Sequence, residues 1–76
     1  MVVKVYSTQT CPWCHRVKDY LKQKKIAFED IDVSSNRKVA DEMIKKSGQM
    51  GVPVIDINGK IIIGFDQDAI DEALNL

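Results

Sequence analysis

The 76-residue sequence predicts an α/β fold with elements in the order β-α-β-α-β-β-α. Three observations carry that prediction. Strand-like runs rich in β-branched residues recur at 2–6, 26–33, 54–57 and 60–63. Between and after them, apolar residues return at helical spacing. Asn58-Gly59 separates the last two runs, and this pair suits a type I′ hairpin turn, which needs φ > 0 at both central residues.

The elements follow in order. Val2-Val3-Lys4-Val5-Tyr6 reads as the first strand and Ser7-Thr8-Gln9-Thr10 as a polar loop. Pro12 fits the first position of a helix, where its missing N–H costs nothing. Cys14, Val17 and Leu21 then form an apolar stripe with Trp13 and Tyr20 alongside, while Arg16, Lys18, Asp19 and Lys22 lie on wetter faces. Ile26–Val33 reads as the second strand. Ser34-Ser35-Asn36 offers N-caps for a second helix, whose apolar face is Val39, Ala40, Met43 and Ile44. Gly48 is its expected stop, with Lys45 and Lys46 complementing the dipole. After the hairpin, Gly64 ends the run and Asp66 caps a last helix built on Ala69, Ile70, Ala73 and Leu74. The first three elements predict a parallel βαβ unit with a right-handed crossover, and the hairpin predicts an antiparallel pair. Residues 1–76 are expected to form one domain.

Composition narrows the function. Eleven basic and eleven acidic residues balance, so neither nucleic acid nor an anionic membrane is an expected partner. No apolar stretch reaches the roughly 20 residues of a membrane span. The N-terminus does not resemble an export signal, and the two cysteines stand in one motif, so a reducing cytoplasm is the expected location. A monomer is expected.

Those cysteines are Cys11 and Cys14, in Cys11-Pro12-Trp13-Cys14. The spacing places both thiols at the first turn of a helix, at the positive end of its dipole and beside unpaired N–H groups. A thiolate, the form that attacks disulfides, is stabilised there. A second thiol three residues on can resolve the resulting mixed disulfide. The strand-to-helix context makes reversible thiol–disulfide exchange the leading reading. Three others stand beside it. Structural zinc wants four ligands, and His15 adjoins Cys14 too closely to share a metal with both thiols. Cys11 to His15 also spells the C-x-x-C-H of c-type haem attachment, with Met1, Met43 or Met50 as an axial sulfur. The pair could also simply be buried.

Taken with Thr10-Cys11-Pro12-Trp13-Cys14-His15-Arg16, the segments Gly51-Val52-Pro53, Asn58-Gly59 and Gly64-Phe65-Asp66 make essentially the whole chain resemble a glutaredoxin. The resemblance implies the thioredoxin-like fold in its glutaredoxin form, a four-stranded mixed sheet with helices on both faces. It implies Cys11 as nucleophile, Cys14 as resolving thiol and no metal. Trp13, Val52 and Pro53, the last as a cis-proline, would border a groove for glutathione or an extended peptide. Gly64, Phe65 and Asp66 would hold the γ-glutamyl end of glutathione. Thr8 stands where glutaredoxins commonly carry a lysine, Ile63-Gly64 lacks the first of two usual glycines, and Gln49-Met50-Gly51 offers no cation. No tightly bound cofactor is implied. Glutathione is the expected co-substrate and disulfide-bearing proteins the expected partners. Gly64-Phe65 also looks like a related group of redoxins, which take electrons from thioredoxin reductase and pass them to ribonucleotide reductase.

Overall fold

The computed structural model of the chain describes residues 2–75. Its elements are β1 (Val3–Ser7), α1 (Pro12–Gln23), β2 (Glu29–Asp32), α2 (Arg37–Ser47), β3 (Val54–Ile57), β4 (Lys60–Ile63) and α3 (Gln67–Leu74). They form one mixed sheet in the order β2-β1-β3-β4. β1 pairs with β2 in parallel, whereas β3 is antiparallel to both β1 and β4.

Strand alternation sorts the core into two layers. Val3 and Val5 of β1, Ile55 and Ile57 of β3 and Ile62 of β4 face Val17, Tyr20 and Leu21 of α1 and Ile70 and Leu74 of α3. On the other face Tyr6 and Val54 meet Met43 of α2, with Ile31, Ile44 and Ile61 around them. Helices therefore cover both faces, as the thioredoxin-like fold requires. The second layer has a polar seam at its centre. The fully buried Tyr6 donates its hydroxyl to Glu42 at 2.8 Å, and Lys46 donates to Tyr6 at 3.0 Å and to buried Asp56 at 2.8 Å.

Most expected boundaries hold. Asn36 caps α2 by accepting from the Lys38 N–H, and Gly48 ends it at φ +73°. Asn58 and Gly59 have φ of +53° and +93°, the left-handed pair of a type I′ turn. The second strand is shorter than Ile26–Val33, because its first residues close α1 instead. Lys25 adopts φ +60°, Ile26 N–H donates to Leu21 C=O at 2.9 Å, and Lys25 N–H donates to Lys22 C=O at 3.0 Å. This is a Schellman closure with lysine at the position glycine usually takes. Ile26 and Phe28 pack against the first core layer rather than pairing in the sheet.

Strand register decides what meets at one end of the sheet. Tyr6 lies opposite Val54, and Val54 opposite Ile63. The residues after β1, before β3 and after β4 therefore converge. Gly64 N–H donates to Pro53 C=O at 2.9 Å across that end.

Candidate active site

Cys11 is the N-cap of α1, with extended backbone (φ −93°, ψ 110°) and Pro12 at the first helical position. Its sulfur accepts from the Cys14 N–H at 3.2 Å, the bond a serine or aspartate oxygen makes at an ordinary N-cap. Negative charge on that sulfur also meets the positive end of the α1 dipole. As a thiol, Cys11 reaches the Val52 carbonyl at 3.9 Å. Both cysteines are free, Cys11 partly exposed and Cys14 fully buried. Burial pushes the Cys14 thiol up to about 11, and the adjoining Cys11 sulfur adds to the rise. The two thiols thus have distinct characters: one capped and accessible, the other enclosed and held protonated.

Beside them lies a groove of about 270 Å³ lined by Trp13, Val52, Pro53, Gly64 and Phe65. The Val52–Pro53 peptide is cis. The Gln49 side chain clamps Gly51 ahead of it, accepting from Gly51 N–H at 2.6 Å and donating to Gly51 C=O at 2.9 Å. A Cβ at Gly51 would lie 2.6 Å from the Gln49 oxygen, so a side chain there would push the Gln49 amide aside. Phe65 sits between Trp13 and Tyr20, at ring centroid distances of 6.5 and 5.6 Å. Tyr20 in turn donates its hydroxyl to Asp71 of α3.

Five of the seven groove residues expected from the sequence therefore line one depression. Thr8 and Asp66 are not among its lining residues. The Thr8 carbonyl accepts from the Cys11 N–H at 3.4 Å, and the exposed Asp66 caps α3 by accepting from Ala69 N–H at 3.1 Å. Arg16 lies on a wet face, as the helical spacing predicts. Its guanidinium carbon lies 4.7 Å from the Trp13 ring centroid. The i, i+3 spacing of the two residues on one helix was the available signal. Met50 is also strongly exposed just ahead of the groove.

The geometry bears on the rival readings. No group of three His, Cys, Asp or Glu suited to a metal comes together among the described residues. His15 Nε2 lies 2.9 Å from the Gln9 carbonyl. Thioether attachment of haem would need an accessible Cys14, and that sulfur is enclosed. No helix among the described residues is long and apolar enough to cross a membrane.

The glutaredoxin family model matches residues 3–62. The chain belongs to the glutaredoxin family. A glutaredoxin-like 8.6 kDa protein of the rubredoxin operon of Clostridium pasteurianum is 49% identical over 73 residues, covering 96% of this chain and 97% of that protein. Glutaredoxin 3 of Escherichia coli K12 is 41% identical over 64 residues, 84% of this chain and 77% of the relative. Among solved structures, the glutaredoxin of Archaeoglobus fulgidus superposes with a TM-score of 0.89 at 28% identity, over 97% of this chain and 86% of the other. The glutaredoxin-like NrdH-redoxin of Escherichia coli, described as having a thioredoxin-like activity profile, gives 0.85 at 25% identity, over 95% and 93%. In this chain the thioredoxin-like fold brings the two cysteines to a strand-to-helix junction.

Proposed function

We propose that this chain is a dithiol–disulfide oxidoreductase that reduces protein disulfides and glutathione mixed disulfides through Cys11 and Cys14. The observation that carries this reading is the asymmetry of the two sulfurs at the α1 N-terminus, one accessible and capped by an N–H, the other buried and protonated. Cys11 thiolate attacks one sulfur of a substrate disulfide. A Cys11–substrate bond forms, the substrate S–S bond breaks, and the departing sulfur takes up a proton. Cys14 then loses its proton and attacks Cys11, releasing the second substrate thiol and leaving Cys11–Cys14 oxidised. Two electrons pass from the dithiol to the substrate; of the two protons on the product thiols, Cys14 supplies one and solvent the other.

In this reading Trp13, Val52, Pro53, Gly64 and Phe65 seat the substrate, and Asp66, with Phe65 N–H, faces the γ-glutamyl end of glutathione. Glutathione, as co-substrate, resets the pair. The protein works as a monomer in a reducing cytoplasm.

A second reading has its own support. None of the residues lining the groove is charged, and Thr8 brings no cation where a lysine would meet a glutathione carboxylate. The likeness to the NrdH-redoxin points the same way. Here thioredoxin reductase replaces glutathione as reductant, and a protein such as ribonucleotide reductase is the electron acceptor. One coupled assay separates the readings. Oxidised protein is offered glutathione with glutathione reductase, or NADPH with thioredoxin reductase, and disulfide reduction is followed. Turnover with glutathione supports the first reading, turnover only with thioredoxin reductase supports the second, and turnover with neither sinks both.

A further inference from the structure

Arg16 is exposed, takes part in none of the ion pairs found among the described residues, and makes no side-chain hydrogen bond among them. Lys18, on the same helix, is committed to Asp30 at 3.1 Å. The Arg16 guanidinium is instead laid on Trp13, 4.7 Å from the ring centroid, and Trp13 is a wall of the groove beside Cys11. The five lining residues carry no charge. A chain lying across Trp13 thus meets a cation on the α1 side of the groove.

The contact with the indole holds the guanidinium beside the groove, and its N–H groups have no hydrogen-bond partner among the described residues. Those donors match a carboxylate in a planar fork, and little side-chain freedom remains to be lost when one binds. We propose that Arg16 is a specificity-determining residue, selecting disulfide substrates that carry a carboxylate next to the attacked cysteine. The inference rests on the dithiol reading above and adds to it the charge of the preferred substrate: an acidic peptide segment.

The test uses the full chain, pre-reduced, in single turnovers with three disulfide-linked peptide dimers. The dimers differ only in the residue beside cysteine, which is Glu, Gln or Lys. Each rate is divided by that of the same dimer with dithiothreitol, which removes intrinsic differences in disulfide reactivity. The wild type is expected to favour the Glu dimer over the Gln dimer by about two- to five-fold at low salt, the range of one exposed charge pair, and salt should erode the preference. Arg16→Ala should abolish it, Arg16→Glu should reverse it in favour of the Lys dimer, and Arg16→Lys should keep part of it. Equal rates for the three dimers in the wild type would overturn the proposal. So would an Arg16→Ala rate lowered equally for all three, which would make Arg16 a prop for Trp13. If no dimer is reduced by any form of the protein, the dithiol reading falls, and this inference with it.

Discussion

The Cys14 N–H donates to the Cys11 sulfur at 3.2 Å, so Cys11 caps the helix turn that carries Cys14, while the Cys14 side chain itself is enclosed. The chemistry of each thiol follows from that division.

Alkylation should read it directly. Iodoacetamide at neutral pH is expected to label Cys11 and spare Cys14 in the folded protein. Cys14 should react only on unfolding or as the pH approaches about 11, where its thiol ionises. Peptide mapping by mass spectrometry after timed labelling checks this. Equal labelling of the two at neutral pH would contradict the assignment of roles.

Removing the buried thiol should separate two activities. Cys14→Ser keeps the nucleophile and loses the resolver. With a protein disulfide it is expected to stop at a mixed disulfide on Cys11, visible as a covalent adduct on non-reducing gels. Release of glutathione from a glutathionylated target should continue, since free glutathione can attack that intermediate. A normal rate of protein disulfide reduction by this variant would remove the dithiol mechanism.

The polar seam under α2 predicts a pH-dependent loss of stability. Burial opposes ionisation of Asp56, but Lys46 and the Gly59 N–H outweigh it and hold the carboxyl below the usual range. A group with a depressed folded pKa contributes stability above its unfolded value of about 3.9, and that contribution is lost as pH falls through the folded value. Lys46→Ala strands the carboxylate and should cost about 1–3 kcal/mol near neutral pH. The gap between variant and wild type should narrow in acid, where Asp56 is protonated in both. Urea midpoints at neutral and acidic pH test this, and a gap independent of pH would mean that Lys46 acts through packing alone.

The closure of α1 predicts a gain. Lys25 holds φ +60°, a conformation costing a side-chain-bearing residue about 1–2 kcal/mol, part of which glycine gives back through its freer unfolded chain. Lys25→Gly is expected to stabilise the fold by about 0.5–1 kcal/mol, raising the melting temperature by roughly 2–8 °C. Lys25→Ala, which keeps the Cβ, should not. Thermal melts of the three proteins decide it.

What was legible in the sequence was what local chemistry dictates. Asn58-Gly59 permits few turns, Pro12 and Cys11 mark a helix start, and Asn36, Gly48 and Asp66 mark caps that the chain uses. The end of α1 was hidden because lysine occupies the left-handed position, so no glycine announced the closure and Ile26–Phe28 read as strand. The groove was legible only through family resemblance. Its walls come from Trp13, Val52–Pro53 and Gly64–Phe65, which register rather than proximity in sequence brings together. Arg16 reads from the sequence as a solvated helix residue, because its contact with the Trp13 ring needs the folded helix to be seen. The seam of Tyr6, Lys46 and Asp56 was equally silent, since it joins three elements that no periodicity links.

Trp13 is the only tryptophan in the chain, and it lines the groove two residues from the nucleophile, with a guanidinium over its ring. The protein therefore carries its own optical probe. Its indole emission originates at one place, a residue or two from either sulfur, and is not diluted by distant chromophores of the same kind. Oxidation of the dithiol, occupation of the groove and displacement of Arg16 each change the surroundings of that one ring, so each step can be followed on the unlabelled molecule.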